Sequence, residues 1–231
     1  MIRDELCLDM PTAPTVPVVG GGRFPVHRIY CVGRNYAAHA REMGFEPDRE
    51  APFFFLKPAD AVVENGATIA YPRMTGNYHH EVELVVAIGG SARDVPVERA
   101  SELVFGYAVG LDMTRRDLQL AARDKGRPWD TGKAFDFSAP CAAITRKEEA
   151  GNINAATMRL EVNGELRQQS PLSLLIWSID EIIHWLSLYF DLMPGDLIYT
   201  GTPEGVGPVV SGDTLRGTIG GLEALEVKIG R

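Results

Sequence analysis

Residues 79–90, "HHEVELVVAIGG", place two carboxylates at the entrance to an unbroken apolar run. A continuous apolar stretch of this length is typical of a strand that is buried on both faces. Side chains alternate along a strand, so Glu81 and Glu83 point the same way and lie roughly 6.5–7 Å apart. Two such charges are costly in a core unless they stay hydrated or share a cation. The stretch therefore predicts either an exposed strand end or a site for Mg²⁺, Mn²⁺ or Ca²⁺.

A third carboxylate, Asp112, ends the next clear strand pattern, "GYAVGLD" at residues 106–112. Side chains at the end of a strand often converge on a site, so Asp112 is a candidate third ligand. The segment that follows, residues 114–126, predicts a helix. Thr114 and Asp117 have the spacing of a capping box, and Gly126 is a natural stop.

Two polar residues share one face of this predicted helix. Arg116 and Gln119 are three residues apart, so they are neighbours on the helix surface. Arg116 is suited to bind a substrate carboxylate through two parallel hydrogen bonds, and Gln119 to orient a carbonyl or hydroxyl. The alternative is that Arg116 is an exposed helix cation, like Arg115 and Arg123.

The composition is that of an ordinary soluble globular protein. The 231 residues are 45% hydrophobic and 23% charged, which is enough for one large domain. A net charge of −8 argues against nucleic acid as a partner. No apolar run reaches the roughly 20 residues that a membrane span needs. Three cysteines without paired spacing indicate a reducing compartment, so we expect a cytoplasmic location.

Many short strand patterns with few helices predict an α+β, β-rich fold and not a doubly wound parallel sheet. The pair Asn163-Gly164 is the strongest hairpin signal in the chain. Residues 178–196 predict the best helix, opened by a capping box of Ser178 and Glu181. Residues 1–22 end in "GGG" and predict a loosely attached N-terminal arm, which leaves residues 23–231 as the main domain.

A redox-metal site is an alternative interpretation of the first stretch. His79 shares the strand face of Glu81 and Glu83, but the facial triad of non-haem iron needs two histidines and one carboxylate. A second candidate histidine, His184, lies inside the predicted amphipathic helix, where packing against the core is the simpler role.

Seven ordered blocks of the sequence resemble the fumarylacetoacetate hydrolase family, over roughly residues 27–229. They are "GRNYAAHAREMG", "FFFLKPADAVV", "HHEVELVVAIG", "GYAVGLDMTRRDLQ", "RPWDTGKAFD", "LEVNGELRQ" and "DLIYTGTPEGVGPV". Within the family, residues 24–63 are most similar to the bacterial branch that hydrolyses fumarylpyruvate in gentisate breakdown. The blocks are also similar to the acylpyruvase and oxaloacetate decarboxylase branch.

The resemblance implies a β-rich roll or sandwich of mixed sheets with a few short helices. It implies a homodimer, a catalytic domain over residues 23–231, and a Mg²⁺ or Mn²⁺ cofactor, with Ca²⁺ as a non-native occupant. Carried over residue by residue, the metal ligands are Glu81, Glu83 and Asp112. The implied catalytic residues are His39, Glu42 and Lys133, and the implied substrate-binding residues are Arg116, Gln119 and Thr202. Arg34 or Arg127 is a candidate partner for a distal substrate carboxylate, with a surface or structural role as the alternative.

The implied reaction is hydrolysis of a carbon–carbon bond in a 2,4-dioxo acid, with fumarylpyruvate giving fumarate and pyruvate in aromatic catabolism. Glu42 would orient His39, the base that activates water, and Lys133 would stabilise the oxyanion. One rival is an oxaloacetate decarboxylase, tautomerase or general acylpyruvase on the same metal site. Another is a metal-stabilised binding protein without catalysis. The expected partner is a small dioxo acid, with neither nucleic acid nor membrane.

Overall fold

The computed structural model describes residue 8, residues 12–37 and residues 50–231. The helices within this part of the chain are α1 (Val97–Ala100), α2 (Arg116–Asp124), α3 (Asp130–Lys133) and α4 (Ile179–Tyr189). The strands are β1 (Thr15–Pro17), β2 (Arg23–Pro25), β3 (Arg28–Gly33), β4 (Phe53–Lys57), β5 (Val62–Glu64), β6 (Thr68–Ile69), β7 (Tyr78–His80), β8 (Val82–Ile88), β9 (Val104–Leu111), β10 (Thr114–Arg115), β11 (Ala139–Cys141), β12 (Thr145–Arg146), β13 (Thr157–Val162), β14 (Glu165–Pro171), β15 (Asp196–Tyr199), β16 (Gly207–Pro208), β17 (Thr214–Ile219) and β18 (Leu225–Ile229). Short 3₁₀ turns lie at Ala59–Ala61, Ser101–Leu103, Ile153–Ala155 and Leu172–Leu174.

The strands form mixed sheets, as the sequence predicted. The largest has the order β4-β3-β15-β8-β9-β11-β5, with β12 added beside β9. A five-stranded sheet has the order β14-β13-β17-β18-β6, and a small one has the order β10-β7-β16. Pairing is antiparallel except where β15 meets β3, β11 meets β5 and β18 meets β6. The α+β, β-rich class is therefore confirmed.

Strand β8 lies at the centre of the molecule and is buried on both faces. Its side chains at Val82, Leu84 and Val86 belong to the core that includes the five-stranded sheet. Val85 and Ala87, on the opposite face, belong to a second core that includes β1 and β2. This two-sided burial explains the unbroken apolar run, because a strand inside two cores has no polar face.

The structure confirms the predicted hairpin and the predicted capping box at Ser178, and it corrects the length of the helix that follows. The predicted hairpin is present: β13 and β14 pair around Asn163 and Gly164, which have φ of 54° and 82°. The capping box at Ser178 is also present. The predicted helix of residues 178–196 is too long, however. It ends at Tyr189 because Phe190 is extended (φ −136°, ψ 145°).

The capping box predicted at Thr114 is wrong. Helix α2 begins at Arg116, and Thr114 belongs to β10, which pairs with β7. The carboxylate of Asp117 accepts hydrogen bonds from Thr75 Oγ1 (2.6 Å) and from the backbone N–H of Gly76 (3.0 Å). The Thr114 hydroxyl donates to Glu81 Oε1 at 3.2 Å. Contacts with earlier segments therefore take both side chains that would have capped the helix.

The described part of the predicted N-terminal arm packs on the main sheet. Strand β1 pairs with β2, and Val16 and Val18 are buried in the second core. Val18 also forms an isolated bridge with Ile144. These contacts, and not a loose tether, hold residues 12–22 in place. Among the described residues, no helix is long and apolar enough to cross a membrane.

Candidate active site

The three candidate ligands meet because of the register of two central strands. Glu83 lies opposite Gly110 in the β8–β9 pair, and the backbone N–H of Asp112 donates to the carbonyl of Glu81 at 2.8 Å. The carboxylates of Glu81, Glu83 and Asp112 are all buried and offer oxygens that lie within 4.8 Å of one another. Glu81 and Glu83 are thus inside the protein, and the exposed strand end is excluded.

Two buried lysines neutralise part of this charge. Lys133 Nζ donates to Glu81 Oε2 at 2.7 Å and to Asp112 Oδ2 at 2.6 Å. Lys57 Nζ lies 2.8 Å from Asp112 Oδ1 and donates to the carbonyls of Met113 (3.1 Å) and Lys133. Burial by itself lowers the pKa of Lys133, but Asp112 and Glu81 outweigh it and leave the pKa raised. Lys133 is therefore an ammonium at neutral pH.

Glu83 is the carboxylate with the least compensation. Its Oε2 accepts a hydrogen bond from the backbone N–H of Gly201 at 2.8 Å. Burial raises the pKa of Glu83 well above its usual range, and the charges of Asp112 and Glu81 add to the effect. An anionic Glu83 therefore needs a further positive charge close by.

The donor set fits a hard divalent cation. Three carboxylates supply only oxygen ligands, which Mg²⁺ and Mn²⁺ prefer. Within the described part of the chain, Asp112 Oδ1 accepts no hydrogen bond even though Lys57 Nζ is close. A buried acceptor without a hydrogen bond is costly, so this oxygen suits a metal bond. A cation shared with Glu83 would also supply the charge that Glu83 lacks.

Arg116 and Gln119 point from α2 toward the carboxylates. Arg116 Nη2 forms a buried ion pair with Glu81 Oε1, and Arg116 Nη1 donates to Gln119 Oε1 at 2.5 Å. His79 Nδ1 lies 3.4 Å from Arg116 Nε, and its Nε2 faces Asn77 Oδ1 at 2.7 Å. Burial, and then the charge of Arg116, lowers the pKa of His79 to about 4. His79 is thus a neutral neighbour of Arg116, outside the carboxylate cluster.

A buried glutamine fixes the position of Thr202. Thr202 Oγ1 donates to the carbonyl of Val82 (2.8 Å) and accepts from Gln168 Nε2 (2.9 Å). Gln168 Oε1 in turn accepts from the backbone N–H of Val82 at 3.1 Å. These bonds tie the "TGTP" turn to the start of β8. Thr202 therefore reaches the cavity with its hydroxyl proton already committed.

One cavity of about 170 Å³ opens onto the carboxylates. It is lined by most of the residues singled out from the sequence: Arg34, Glu81, Glu83, Asp112, Arg116, Gln119, Lys133 and Thr202. Arg127 is exposed and lines a different surface depression. His184 Nδ1 donates to the carbonyl of Val95 at 2.7 Å, which is the packing role favoured above. His39 and Glu42 lie outside the described residues.

Sequence reasoning missed Lys57 and the aromatic side of the cavity. Phe53, Phe55 and Lys57 share one face of β4 because they alternate along the strand. Phe53 and Phe55 line the cavity together with Trp129. The signal in the sequence is a lysine that ends an apolar run on the same strand face as two aromatic residues.

The fold and the cavity define a class: a β-rich protein with a buried cluster of three carboxylates, suited to a cation, beside a buried ammonium. The family model "Fumarylacetoacetate (FAA) hydrolase C-terminal" matches residues 28–230. The chain therefore belongs to the fumarylacetoacetate hydrolase family, as the seven sequence blocks predicted.

Individual relatives are similar over most of the chain. A fumarylpyruvate hydrolase from Ralstonia sp is 51% identical over 181 residues, which is 78% of this chain and 94% of the relative. The human mitochondrial oxaloacetate tautomerase FAHD1 is 45% identical over 201 residues, 87% of this chain and 90% of the relative. A crystal structure of fumarylpyruvate hydrolase from Pseudomonas aeruginosa, in complex with Mn²⁺ and pyruvate, is 55% identical with a TM-score of 0.93. That match covers 96% of this chain and 98% of the other.

Proposed function

We propose that this protein is a metal-dependent hydrolase that cleaves the carbon–carbon bond of a 2,4-dioxo acid, fumarylpyruvate, to fumarate and pyruvate. The observation that carries the proposal is the buried cluster of Glu81, Glu83 and Asp112 with Lys133 bound to two of the three. The fumarylpyruvate hydrolase relatives, at 51% and 55% identity, support the choice of substrate.

The metal is the first requirement of this reaction. When bound by Glu81, Glu83 and Asp112, it supplies Lewis-acid stabilisation of negative charge on substrate oxygens. The Pseudomonas aeruginosa relative holds Mn²⁺, and carboxylate oxygens such as those of Glu81, Glu83 and Asp112 also suit Mg²⁺. We therefore propose Mn²⁺ or Mg²⁺ as the native cofactor.

The side chains of the cavity have separate roles in the proposed hydrolysis. Water adds to the carbonyl of the acyl group, and the bond between that carbon and the pyruvyl methylene then breaks. Lys133 Nζ, an ammonium held beside the carboxylates, donates to the oxyanion formed by the addition. Arg116 and Gln119, joined to each other at 2.5 Å, orient the pyruvyl end. A proton returns to the methylene to give pyruvate.

The base that takes the proton from water is assigned from the sequence. We propose His39, oriented by Glu42, because a hydrolysis needs a base near neutral pKa and histidine supplies one. The two residues are three apart in the segment that matches the family's "GRNY" block. A binding protein without catalysis would need neither this pair nor Lys133.

A tautomerase acting on oxaloacetate is the second candidate, favoured by the 45% identity to the human relative. Proton transfer between the keto and enol forms uses the same metal site but breaks no carbon–carbon bond. The two functions therefore differ in their products, and product analysis separates them.

The test is a substrate panel with the purified full-length chain and added Mn²⁺ or Mg²⁺. Fumarylpyruvate, acetylpyruvate and oxaloacetate are compared by loss of enol absorbance and by chromatography of the products. We expect fumarylpyruvate to yield equal amounts of fumarate and pyruvate, at the highest kcat/KM of the three. Absence of pyruvate from both 2,4-dioxo acids, together with rapid interconversion of oxaloacetate tautomers, would establish the second candidate instead.

We propose a cytoplasmic homodimer whose partner is a small dioxo acid. The family resemblance supports the homodimer, and three cysteines without paired spacing support the cytoplasmic location. Light scattering of the purified protein measures the assembly directly.

A further inference from the structure

The hairpin of β13 and β14 sends one buried polar side chain toward the active site. Gln168 on β14 is 1% exposed, whereas its neighbour Gln169 is exposed on the opposite face of the strand. Strand β14 is an edge of the five-stranded sheet, so Gln168 comes from a different sheet than the strands that carry the carboxylates. It is not among the described residues that line the cavity. Any effect of Gln168 on a bound molecule therefore passes through the residues that it contacts.

Backbone groups fix the orientation of the Gln168 amide. Its Oε1 accepts from the backbone N–H of Val82 at 3.1 Å, and its Nε2 donates to the carbonyl of Pro203 at 2.9 Å. A backbone N–H can only donate and a carbonyl oxygen can only accept. The flipped amide would lose both of these hydrogen bonds, so only one orientation fits.

Two side chains complete the hydrogen bonding of this amide. His80 Nδ1 donates to Gln168 Oε1 at 3.0 Å, and Gln168 Nε2 donates to Thr202 Oγ1 at 2.9 Å. A primary amide offers two donors and two acceptor sites, and Gln168 uses all four. His80 is also 1% exposed, and a hydrogen bond lost in a buried place is costly. Gln168 therefore cannot turn away from Thr202 without leaving buried groups unpaired.

The turn that carries Thr202 is joined to the start of β8 at the same place. Val82 lies between Glu81 and Glu83 in the sequence. Its carbonyl accepts from Thr202 Oγ1 at 2.8 Å, and the backbone N–H of Gly201 donates to Glu83 Oε2 at 2.8 Å. Thr202 lines the cavity together with both glutamates. A shift of this turn would therefore move the Thr202 hydroxyl relative to the carboxylates.

We propose that Gln168 is a positioning residue for the reaction and acts through Thr202, whose hydroxyl it holds in place at the carboxylate end of the cavity. This inference rests on the proposed function. The hydroxyl donates to Val82 and accepts from Gln168, so one acceptor site is left for a bound molecule. Catalysis depends on such groups being held in the productive geometry, and a displacement of about 1 Å is enough to slow turnover strongly.

The experiment is a double-mutant cycle on fumarylpyruvate hydrolysis at saturating Mn²⁺. Gln168→Met removes the hydrogen bonds of the amide and keeps a side chain of similar length, and Thr202→Val removes the hydroxyl. We expect each change alone to lower kcat roughly ten- to a hundredfold, the cost of a misplaced group. In the Thr202→Val protein, Gln168→Met should lower kcat by less than about threefold further, because residues of one hydrogen-bond network are not additive. Losses that simply multiply would overturn the inference.

Gln169→Met is the matched control, because it makes the same change on the exposed face of the same strand. We expect wild-type kcat and KM from it, and an equal loss would overturn the inference. The Mn²⁺ affinity of Gln168→Met, measured by calorimetry, should stay within about threefold of the wild type, the spread of independent effects. A large fall in Mn²⁺ affinity would show that Gln168 acts on the carboxylates and not through Thr202.

A second variant guards against loss of folding in Gln168→Met. Gln168→Glu keeps an oxygen that accepts from Val82 and His80, but an ionised carboxylate cannot donate to Thr202. We expect a folded protein by circular dichroism with the same loss of kcat. Wild-type turnover in folded Gln168→Glu would overturn the inference. Wild-type turnover in Thr202→Val would overturn it whatever the Gln168 variants do.

Pyruvate binding separates this inference from the proposed function. Calorimetric titration with pyruvate, in the presence of Mn²⁺, gives the same double-mutant cycle without turnover. If no 2,4-dioxo acid is hydrolysed but the two changes weaken pyruvate binding without adding, the proposed function fails and the positioning role stands. If the wild type hydrolyses fumarylpyruvate and the two losses are independent, the positioning role fails and the hydrolase stands.

Discussion

The two ends of the cavity differ in burial and in charge. The inner end holds Glu81, Glu83, Asp112 and Lys133, and the outer end holds Arg34, Phe53, Arg123 and Trp129. At the inner end, the three carboxylates on and beside two central strands are buried, and Lys133 contacts Glu81 and Asp112 within 2.7 Å. At the outer end, Arg123 is half-buried, and Arg34 is exposed with its guanidinium over the Phe53 ring. Buried charges act strongly at short range, whereas exposed charges are screened by solvent.

This difference assigns different parts of the reaction to the two ends. Groups that stabilise developing charge work best in a dry and rigid site, which is the environment of Glu83 and Lys133. Groups that recognise a part of the substrate that does not react need only bind it equally throughout the reaction. Changes at the inner end should therefore lower kcat, and changes at the outer end should raise KM.

The largest effect is expected from Glu83→Gln. Glutamine keeps an oxygen that can accept from the backbone N–H of Gly201, but it removes one of the three anionic groups that we propose bind the metal. We expect loss of Mn²⁺ binding and a fall in kcat of at least about a thousandfold, because the metal supplies several kcal/mol of charge stabilisation. Steady-state kinetics and calorimetric titration with Mn²⁺ measure the two effects.

Glu165→Gln is the control for this variant, because Glu165 is an exposed carboxylate on β14. It should bind Mn²⁺ and turn over substrate like the wild type. Full activity in a Glu83→Gln protein would show that the reaction does not need the carboxylates of the inner end, and the proposed difference between the two ends would be wrong.

A smaller effect is expected at the outer end from Gly33→Ala. A Cβ at this position would lie 2.0 Å from Phe53 Cζ, so the ring that carries Arg34 must move. We expect a loss of about 1–3 kcal/mol in the free energy of unfolding, as for other overpacked sites. KM for fumarylpyruvate should rise with kcat nearly unchanged. Urea unfolding and steady-state kinetics check both statements.

Gly76→Ala is the matched control, since a Cβ at Gly76 meets no atom within 4 Å and its backbone is not left-handed. Its stability and KM should equal those of the wild type. An unchanged KM in Gly33→Ala, despite the loss of stability, would show that the aromatic rings at the outer end take no part in substrate recognition.

The inner end was largely predictable from the sequence. Strand alternation placed Glu81 and Glu83 on one face, and the end of the next strand placed Asp112 near them. The register of β8 with β9 then brought the three together. The choice between a hydrated strand end and a cation site, however, depended on burial, which the pattern of two residues does not encode. The ordered family blocks supplied that information.

At the outer end only Arg34 was expected from the sequence, because the other residues come from distant segments. Phe53 lies on β4, Trp129 lies next to α3 and Arg123 lies on α2. No local pattern in the sequence links the three. The pattern of its own helix predicts that Arg123 is an exposed cation. The capping box at Thr114 failed for a related reason: β10 pairs with β7, and this long-range pairing overrides the local signal.

The most direct test of the account is the dependence of fumarylpyruvate hydrolysis on the metal. The purified protein is treated with a chelator, exchanged into metal-free buffer and titrated with Mn²⁺ while bound metal and pyruvate release are followed together. We predict negligible hydrolysis after chelation and full recovery as one Mn²⁺ binds per chain. Undiminished hydrolysis in the metal-free protein, with no Mn²⁺ bound, would contradict the assignment of Glu81, Glu83 and Asp112 as a catalytic metal site.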